Sequence, residues 1–355
     1  MLDQPTNIRQ GEALDTDKLR SYLAGIDASY DADYAVRQFP SGFSNLTYWV
    51  KIGDTEYVLR RPPFGASAKG GHDMFREYRV MRDLYPVFPQ VPKMYHYCDD
   101  EAVMGAPFYL MERVQGVIIR KGSESAKLSA ENYQQVAKSW LDTFIALHQV
   151  DYEAAGLGDL GRPEGYNERQ VVGWSKRFQK AKTHDVATID AIIKWLNERI
   201  PAESGSSLIH NDYKYDNIVF PEGDWSQVKA ILDWEMATLG DPLMDLGTSI
   251  AYWSNYDDPE PDKRQGMLTT YMPGNPRRGD IVNQYAATTG KEVGDFVYYY
   301  VFGLFKLAVI VQQIYYRYAK GFTQDKRFAR LDQTVQYLGL KALQAVQKGK
   351  IDGLF

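Results

Sequence analysis

The chain has 355 residues, more than one hydrophobic core usually holds, so two lobes are expected. A composition that is 44% hydrophobic and 25% charged is ordinary for a soluble globular protein, and a net charge of −5 with no run of Lys or Arg argues against nucleic acid or an anionic membrane as the main partner. The single cysteine, Cys98, excludes an internal disulfide and fits a reducing cytoplasm. Met1 to Pro5 lacks the basic start and apolar run of a signal peptide, so a cytoplasmic location is expected.

In chain order, hydrophobic spacing predicts a first helix from about Asp15 to Ala24, with Leu19, Tyr22 and Leu23 on one face. Phe39 to Asn45 reads as a Gly/Ser turn, and Ser44 within it is a candidate nucleotide contact. Leu46 to Lys51 and Glu56 to Arg60 read as strands joined at Gly53-Asp54. A strand, a glycine turn and a strand is how a phosphate-covering loop is built, because backbone N–H groups must approach phosphate oxygens closely. With one glycine, the same pattern is also a plain hairpin. A helix from His72 to Tyr85 is ended by Pro86, and Val91 to Cys98 and Pro107 to Arg113 are further strands. Residues 30–113 thus hold about five strands and one helix. At Val114-Gln115-Gly116 the pattern changes to mostly helical, which divides the chain into an N-terminal lobe, 1–113, and a C-terminal lobe, 114–355.

In the second half, Ser129 caps an amphipathic helix carrying Tyr133, Val136, Trp140, Phe144 and Leu147. His148 at its end reads as a packed or hydrogen-bonded histidine in preference to a ligand. Another helix spans about Val186 to Ile200. Asp241-Pro242 is an N-cap and first-turn pair opening a helix through Asp245 to Trp253. Asp257 to Asp262 reads as an acidic, proline-bearing loop, and helices of about Gly294–Lys320 and Asp325–Gln347 close the chain. The most apolar stretch, Phe296 to Val311, is interrupted by Lys306 and is shorter than a membrane span requires, so it reads as a buried core helix.

The chemistry concentrates in His210-Asn211-Asp212-Tyr213-Lys214-Tyr215-Asp216-Asn217, followed by Ala230 to Glu235. Ile218 to Phe220 and Val228 to Leu232 read as a hairpin that returns Asp233 beside Asn217. Phosphoryl transfer needs a carboxylate to orient and deprotonate an attacking hydroxyl, and oxygen ligands to hold Mg²⁺ on the phosphates. Asp212 fits the first need; Asn217 and Asp233 fit the second. Singly, these residues are turn formers and a strand end; in this order they are the pattern H-x-D-x-x-x-x-N of a kinase catalytic loop followed by a metal-binding aspartate.

These two strings resemble the aminoglycoside phosphotransferase family of small-molecule kinases over nearly the whole chain. The run Ile231 to Gly247, with Val58 to Pro63 and Arg76 to Met81, is especially similar to the kinase-like domain fused to some acyl-CoA dehydrogenases. The resemblance implies an α+β, protein-kinase-like bilobal fold with a small β-rich N-lobe and a larger helical C-lobe, and it implies ATP and Mg²⁺ as cofactors. It assigns Asp212 as catalytic base, Asn217 and Asp233 as metal ligands, and Lys214 as the lysine that neutralises the transferred group. Glu77 becomes the helix glutamate, Glu112 to Val114 the hinge meeting adenine, and Asp245 a brace beneath the catalytic loop. One departure is that Arg60 stands where the family has a phosphate-binding lysine; Arg61 is the alternative if the register slips by one.

The acceptor is left open between several classes. Aminoglycosides call for clustered carboxylates, and Asp257 to Asp262 is the one dense acidic stretch. Trp234, Tyr252, Trp253 and the Tyr/Phe-rich segment after Gly294 suggest instead an apolar pocket for a hydroxyacyl-CoA, with Lys69, Arg76, Arg79 and Arg82 as candidate CoA-phosphate contacts or simply a solvated helix face. A choline or sugar kinase of the same fold and a nucleotide-binding scaffold are the other readings.

Overall fold

The computed structural model describes residues 4–39, 45–64, 73–266 and 268–355. The predicted Gly/Ser turn with Ser44, and Lys69, therefore fall outside the described residues except at the turn's two ends.

The N-terminal part begins with α1 (Thr16–Ala24), capped by Asp15, whose carboxylate accepts from the Lys18 N–H. Strands β1 (Tyr34–Gln38), β2 (Leu46–Ile52) and β3 (Thr55–Arg61) follow. Helix α2 (Met74–Leu84), β4 (Met94–Cys98), the single turn α3 (Glu101–Met104) and β5 (Phe108–Glu112) complete it. The five strands form one antiparallel sheet in the order β1-β2-β3-β5-β4. Alternation decides which face each residue takes. Leu46, Tyr48, Val50 and Ile52 join Leu59, Phe108 and Leu110 in a core covered by Leu19 and Leu23 of α1 and by Met104 of α3. The opposite face carries Val58, Tyr109 and Met111 against Val80, Met81 and Leu84 of α2, continuous with the core of the helical part.

This alternation settles the register of the paired arginines. Arg60 shares the α2 face, while Arg61 points the other way and donates to the Met104 carbonyl at 2.8 Å.

The helical part holds α4 (Ala130–His148), capped by Ser129 as predicted, then α5 (Tyr166–Ala181) and α6 (Ala187–Asn197). Short strands β6 (Ser207–Ile209), β7 (Ile218–Val219), β8 (Ala230–Ile231) and β9 (Thr238–Gly240) follow, then α7 (Pro242–Ala251), α8 (Glu260–Gln265), α9 (Arg278–Thr289), α10 (Phe296–Ala319) and α11 (Leu331–Lys348). Strand β6 pairs with β9 and β7 with β8, both antiparallel. Helix α10 is long and apolar enough to cross a membrane by length and composition, yet it packs against α5, α6, α7 and α11 inside the protein.

Two expectations change here. Helices α5 and α9 were not read from the sequence. The acidic stretch is a solvated loop only in part: it enters α8, and Asp258 and Asp262 are buried against protein cations while Asp257 and Glu260 stay exposed. Asp258 pairs with buried Arg278 at 2.7 Å, Asp262 with Lys341 at 2.8 Å, Glu260 with Lys263 at 3.2 Å, and Asp257 with Arg277.

Candidate active site

Strand β6 delivers the chain into His210–Asn217, and buried polar groups fix that segment from below. Both oxygens of Asp245, on α7, accept backbone N–H groups, from His210 at 2.7 Å and from Asn211 at 2.8 Å. His148 of α4 meets the same carboxylate at 3.2 Å and the Tyr285 hydroxyl at 2.9 Å, the hydrogen-bonded role expected for it. Burial pushes the Asp245 carboxyl up, but His148 and the N–H donors outweigh it and hold the group below the usual range. Burial also lowers the His210 pKa, so its ring is neutral at pH 7. The neutral ring bridges two strands of chain: Nε2 donates to the Leu232 carbonyl at 3.0 Å, and Nδ1 accepts the Asp212 N–H at 3.2 Å.

Asp212 is held at the mouth of this segment. Its Oδ1 accepts from Lys214 at 3.0 Å and from the Tyr252 hydroxyl at 2.7 Å; its Oδ2 accepts from Lys214 and from the Asn217 amide, both at 2.9 Å. Burial opposes the Lys214 charge, yet Tyr252, Asp212 and Asp216 outweigh it and raise its pKa, so it is an ammonium at neutral pH. Its Nζ lies 4.8 Å from the centre of the Tyr252 ring.

The predicted hairpin forms. Ile218 pairs with Ile231, and the Leu232 N–H donates to the Asn217 carbonyl at 2.8 Å, which brings Asp233 next to Asn217. Asp233 takes a left-handed backbone, φ 69°, a conformation Asp and Asn tolerate better than other side chains. Arg60 reaches across from β3. It donates to Asp233 Oδ1 at 3.2 Å and forms a buried ion pair with Glu77 of α2, and Glu235 lies 3.9 Å away. Burial disfavours the Arg60 charge, but Glu77, Tyr109, Asp233 and Glu235 outweigh it and raise its pKa. Burial raises the Glu77 carboxyl, against the pull of Arg60.

The connection from sheet to helices passes over the same hairpin. Glu112 ends β5 and its carboxylate accepts the Lys93 N–H at 3.2 Å. Val114 packs with Ile118, Val219, Ala230 and Leu232 in a small apolar cluster between Glu112 and Asn217. Gly116 is required there, because a Cβ would fall 2.4 Å from the Phe220 carbonyl oxygen.

Asp212, Lys214, Asn217, Asp233, Arg60 and Glu77 are thus brought together, with Glu112 and Val114 lining the connection. The donor set suits a hard divalent cation. The Asn217 amide nitrogen is committed to the Asp212 carboxylate and, at 2.9 Å, to the Asp212 carbonyl, which leaves the amide oxygen as the end available to a cation. The Asp233 side chain keeps 36% of its surface exposed. One amide oxygen and one accessible carboxylate match the sparse protein coordination that Mg²⁺ takes on nucleotide phosphates.

Sequence reasoning missed three contacts. Tyr252 was placed only as pocket lining, although it caps the C-terminus of α7 seven residues after Asp245, a spacing that pointed to the loop. Asn45 donates to Glu235 at 3.1 Å, and Lys306 donates to Asn211; no local pattern announces either. Arg76 donates to the carbonyls of Leu160 and Ala237 at 2.7 and 2.9 Å, Arg79 binds Asp159 and the Gly156 carbonyl, and Arg82, on the exposed side of the helix, binds Asp83, in keeping with the reading as a solvated helix face. Trp234, Trp253 and Tyr300 are buried in the main core, whereas Tyr298 and Tyr299 edge a separate cavity with Trp195, Arg199 and Glu292.

A cleft between an antiparallel sheet and a helical lobe, with a bound carboxylate, an amide and a second carboxylate converging under an Arg–Glu pair, is the architecture of a kinase-like phosphotransferase. The model of the phosphotransferase enzyme family matches residues 35–280, and the chain belongs to that family. It is a phosphotransferase with an alcohol group as acceptor. An aminoglycoside phosphotransferase-like protein from Ralstonia eutropha JMP134 superposes with a TM-score of 0.80 at 29% identity, over 95% of this chain and all of that one. Spectinomycin phosphotransferase, solved with ADP and spectinomycin, shares the fold at a TM-score of 0.60 and 12% identity, over 94% of this chain and 99% of that one. Acyl-CoA dehydrogenase family member 11 of Rattus norvegicus is 32% identical over 92% of this chain and 42% of its own length. Family member 10 of Mus musculus is 30% identical over 88% of this chain and 29% of its own length. The chain therefore spans less than half the length of either dehydrogenase relative.

Proposed function

We propose that the protein transfers the γ-phosphoryl group of Mg-ATP to the hydroxyl of a hydroxyacyl-CoA or a similar apolar metabolite. The observation that carries the kinase chemistry is the cage of four hydrogen bonds that Lys214, Asn217 and Tyr252 make around the Asp212 carboxylate, set beside Asp233 and Arg60. Asp212 orients the acceptor hydroxyl and takes its proton late in the transfer. Lys214 and Arg60 offset charge on the transferring group, and Glu77 holds Arg60 at the cleft. Asn217 and Asp233 would hold Mg²⁺, which when bound supplies positive charge against the nucleotide phosphates. Glu112 and Val114 lie where an adenine would meet the connection between lobes.

Two observations favour this acceptor class over an aminoglycoside. Asp258 and Asp262, the two buried carboxylates of the acidic stretch, are committed to Arg278 and Lys341, which leaves Asp257 and Glu260 as its exposed carboxylates, fewer than a polycation would call for. The dehydrogenase relatives take acyl-CoA by name, and a kinase sharing their polypeptide would meet hydroxylated acyl-CoA. The purified chain is incubated with Mg-[γ-³²P]ATP and either hydroxyacyl-CoAs of several chain lengths or kanamycin. Label is expected in the hydroxyacyl-CoA and not in kanamycin; efficient labelling of kanamycin overturns the acceptor class and leaves the kinase chemistry standing.

A further inference from the structure

Behind the catalytic loop, on the side away from the cleft, lies a buried polar hub centred on Asn211. The residue adopts a left-handed backbone, φ 66°. Its N–H donates to Asp245, and its amide nitrogen donates to the Tyr166 hydroxyl and the Met236 carbonyl, both at 3.2 Å. Two acceptors remain, the carbonyl and the amide oxygen, the latter also taking a 3.3 Å bond from the Tyr166 hydroxyl. Lys306, from the middle of α10, donates to both, at 2.9 and 3.1 Å. Lys306 is 2% exposed, so its charge has been taken almost wholly out of water. A lysine in that position within an apolar helix is costly, and the hydrogen bonds it makes all go to the residue immediately before Asp212.

We propose that Lys306 is a positioning residue for phosphoryl transfer: by gripping the Asn211 carbonyl and amide oxygens it holds the peptide leading into Asp212 so that the carboxylate faces the cleft. The proposal rests on Asp212 being the group that receives the acceptor hydroxyl. The geometry gives the mechanism. A left-handed residue sits in a small conformational well that Asn tolerates and most side chains do not. The carbonyl of Asn211 belongs to the peptide plane whose other half is the Asp212 N–H, and that N–H is bonded to His210. Fixing the carbonyl from behind and the N–H from below sets the rotation of the whole plane, and with it the direction of the Asp212 Cα–Cβ bond. Asp245 and Asp212 are the anions whose charge Lys306 feels, Arg177 and Lys214 the cations, and Trp174 places its ring 5.7 Å from the ammonium.

The test uses the full chain. Lys306→Met keeps length and apolar packing while removing the donor; Asn211→Gly keeps the left-handed backbone while removing the amide. ADP release from Mg-ATP is followed with water alone and with a medium-chain hydroxyacyl-CoA added, and melting temperature is measured for each variant. Lys306→Met is expected to lower turnover at least tenfold, with the KM for ATP within twofold and no loss of melting temperature. In the Asn211→Gly background the same substitution is expected to cost less, because part of what Lys306 grips is already gone. Wild-type turnover in Lys306→Met, or a cost unchanged by Asn211→Gly, overturns the proposal. So does a Lys306→Met chain that unfolds or melts several degrees early, which assigns the residue to stability. Asp212→Asn is run in parallel: if it too retains turnover, the assignment of Asp212 has failed, whereas loss in Asp212→Asn with none in Lys306→Met refutes the role of Lys306 alone.

Discussion

At the residue scale, the informative number is four. A carboxylate offers about four lone-pair sites, and Asp212 has a donor at each: Lys214 twice, Asn217 and Tyr252. An acceptor hydroxyl must donate to the same carboxylate, so it enters only as a resident donor lets go. Lys214 carries charge and bonds twice, and Asn217 is also anchored to the Asp212 carbonyl. The Tyr252 hydroxyl is neutral and bonds this carboxylate once, which makes it the donor most readily replaced. Tyr252→Phe is therefore expected to lower the acceptor KM while reducing kcat less than tenfold. A loss of kcat beyond a hundredfold would show that the hydroxyl stays in place during transfer. Asp212→Asn, by contrast, should reduce turnover by about 10²-fold or more with nucleotide affinity near wild type, in line with what general bases contribute. Undiminished turnover would remove Asp212 from the chemistry.

At the scale of elements, α7 and α10 carry the loop and its rear support, and they cross at glycines. A Cβ on Gly303 would lie 2.3 Å from the Gly247 carbonyl oxygen, and a Cβ on Gly247 would lie 2.3 Å from that of Tyr299. Backbone meets backbone there, so no side chain can move aside. Gly303→Ala is expected to destabilise the chain by about 2 kcal/mol or more, as overpacking typically costs 1–3 kcal/mol; an unchanged denaturation midpoint would show that the helices slide apart freely. The same elements show what a sequence can disclose. The motif residues, the hairpin bringing Asp233 to Asn217, the Ser129 and Asp241 caps and the burial of α10 were legible because each depends on spacing along the chain. Helix α5 begins at a left-handed Gly165 with no side-chain cap, and α9 begins after Arg277, whose side chain can only donate and whose N–H is taken by the Asp280 carboxylate at 3.1 Å, so neither start shows the usual Ser, Thr, Asp or Asn signal. The grip of Lys306 on Asn211 joins residues 95 apart, and nothing local encodes it.

At the scale of the whole molecule, the rear support of the loop has a thermodynamic signature. Burial lowers the Lys306 pKa from its ordinary value near 10.5 to about 8. Between those two values the folded chain has shed a proton that the unfolded chain still binds, so stability rises with pH across the window and is lost again below about 8. Wild type is expected to gain melting temperature relative to Lys306→Met between pH 7.5 and pH 9.5; parallel curves for the two proteins would show that the lysine is not strained by burial. The ties between the two lobes have a different consequence. Helix α2 carries Glu77, and Arg76 and Arg79 on the same helix fasten it to Leu160, Ala237, Asp159 and Gly156 of the larger lobe. A kinase governed by swinging such a helix away, and so parting its ion pair, needs that helix free on the side facing the catalytic segment. Here the helix is moored to the ground it would have to leave. Swinging α2 away from the cleft would therefore break the Arg76 bonds to Leu160 and Ala237 together with the Arg60–Glu77 pair.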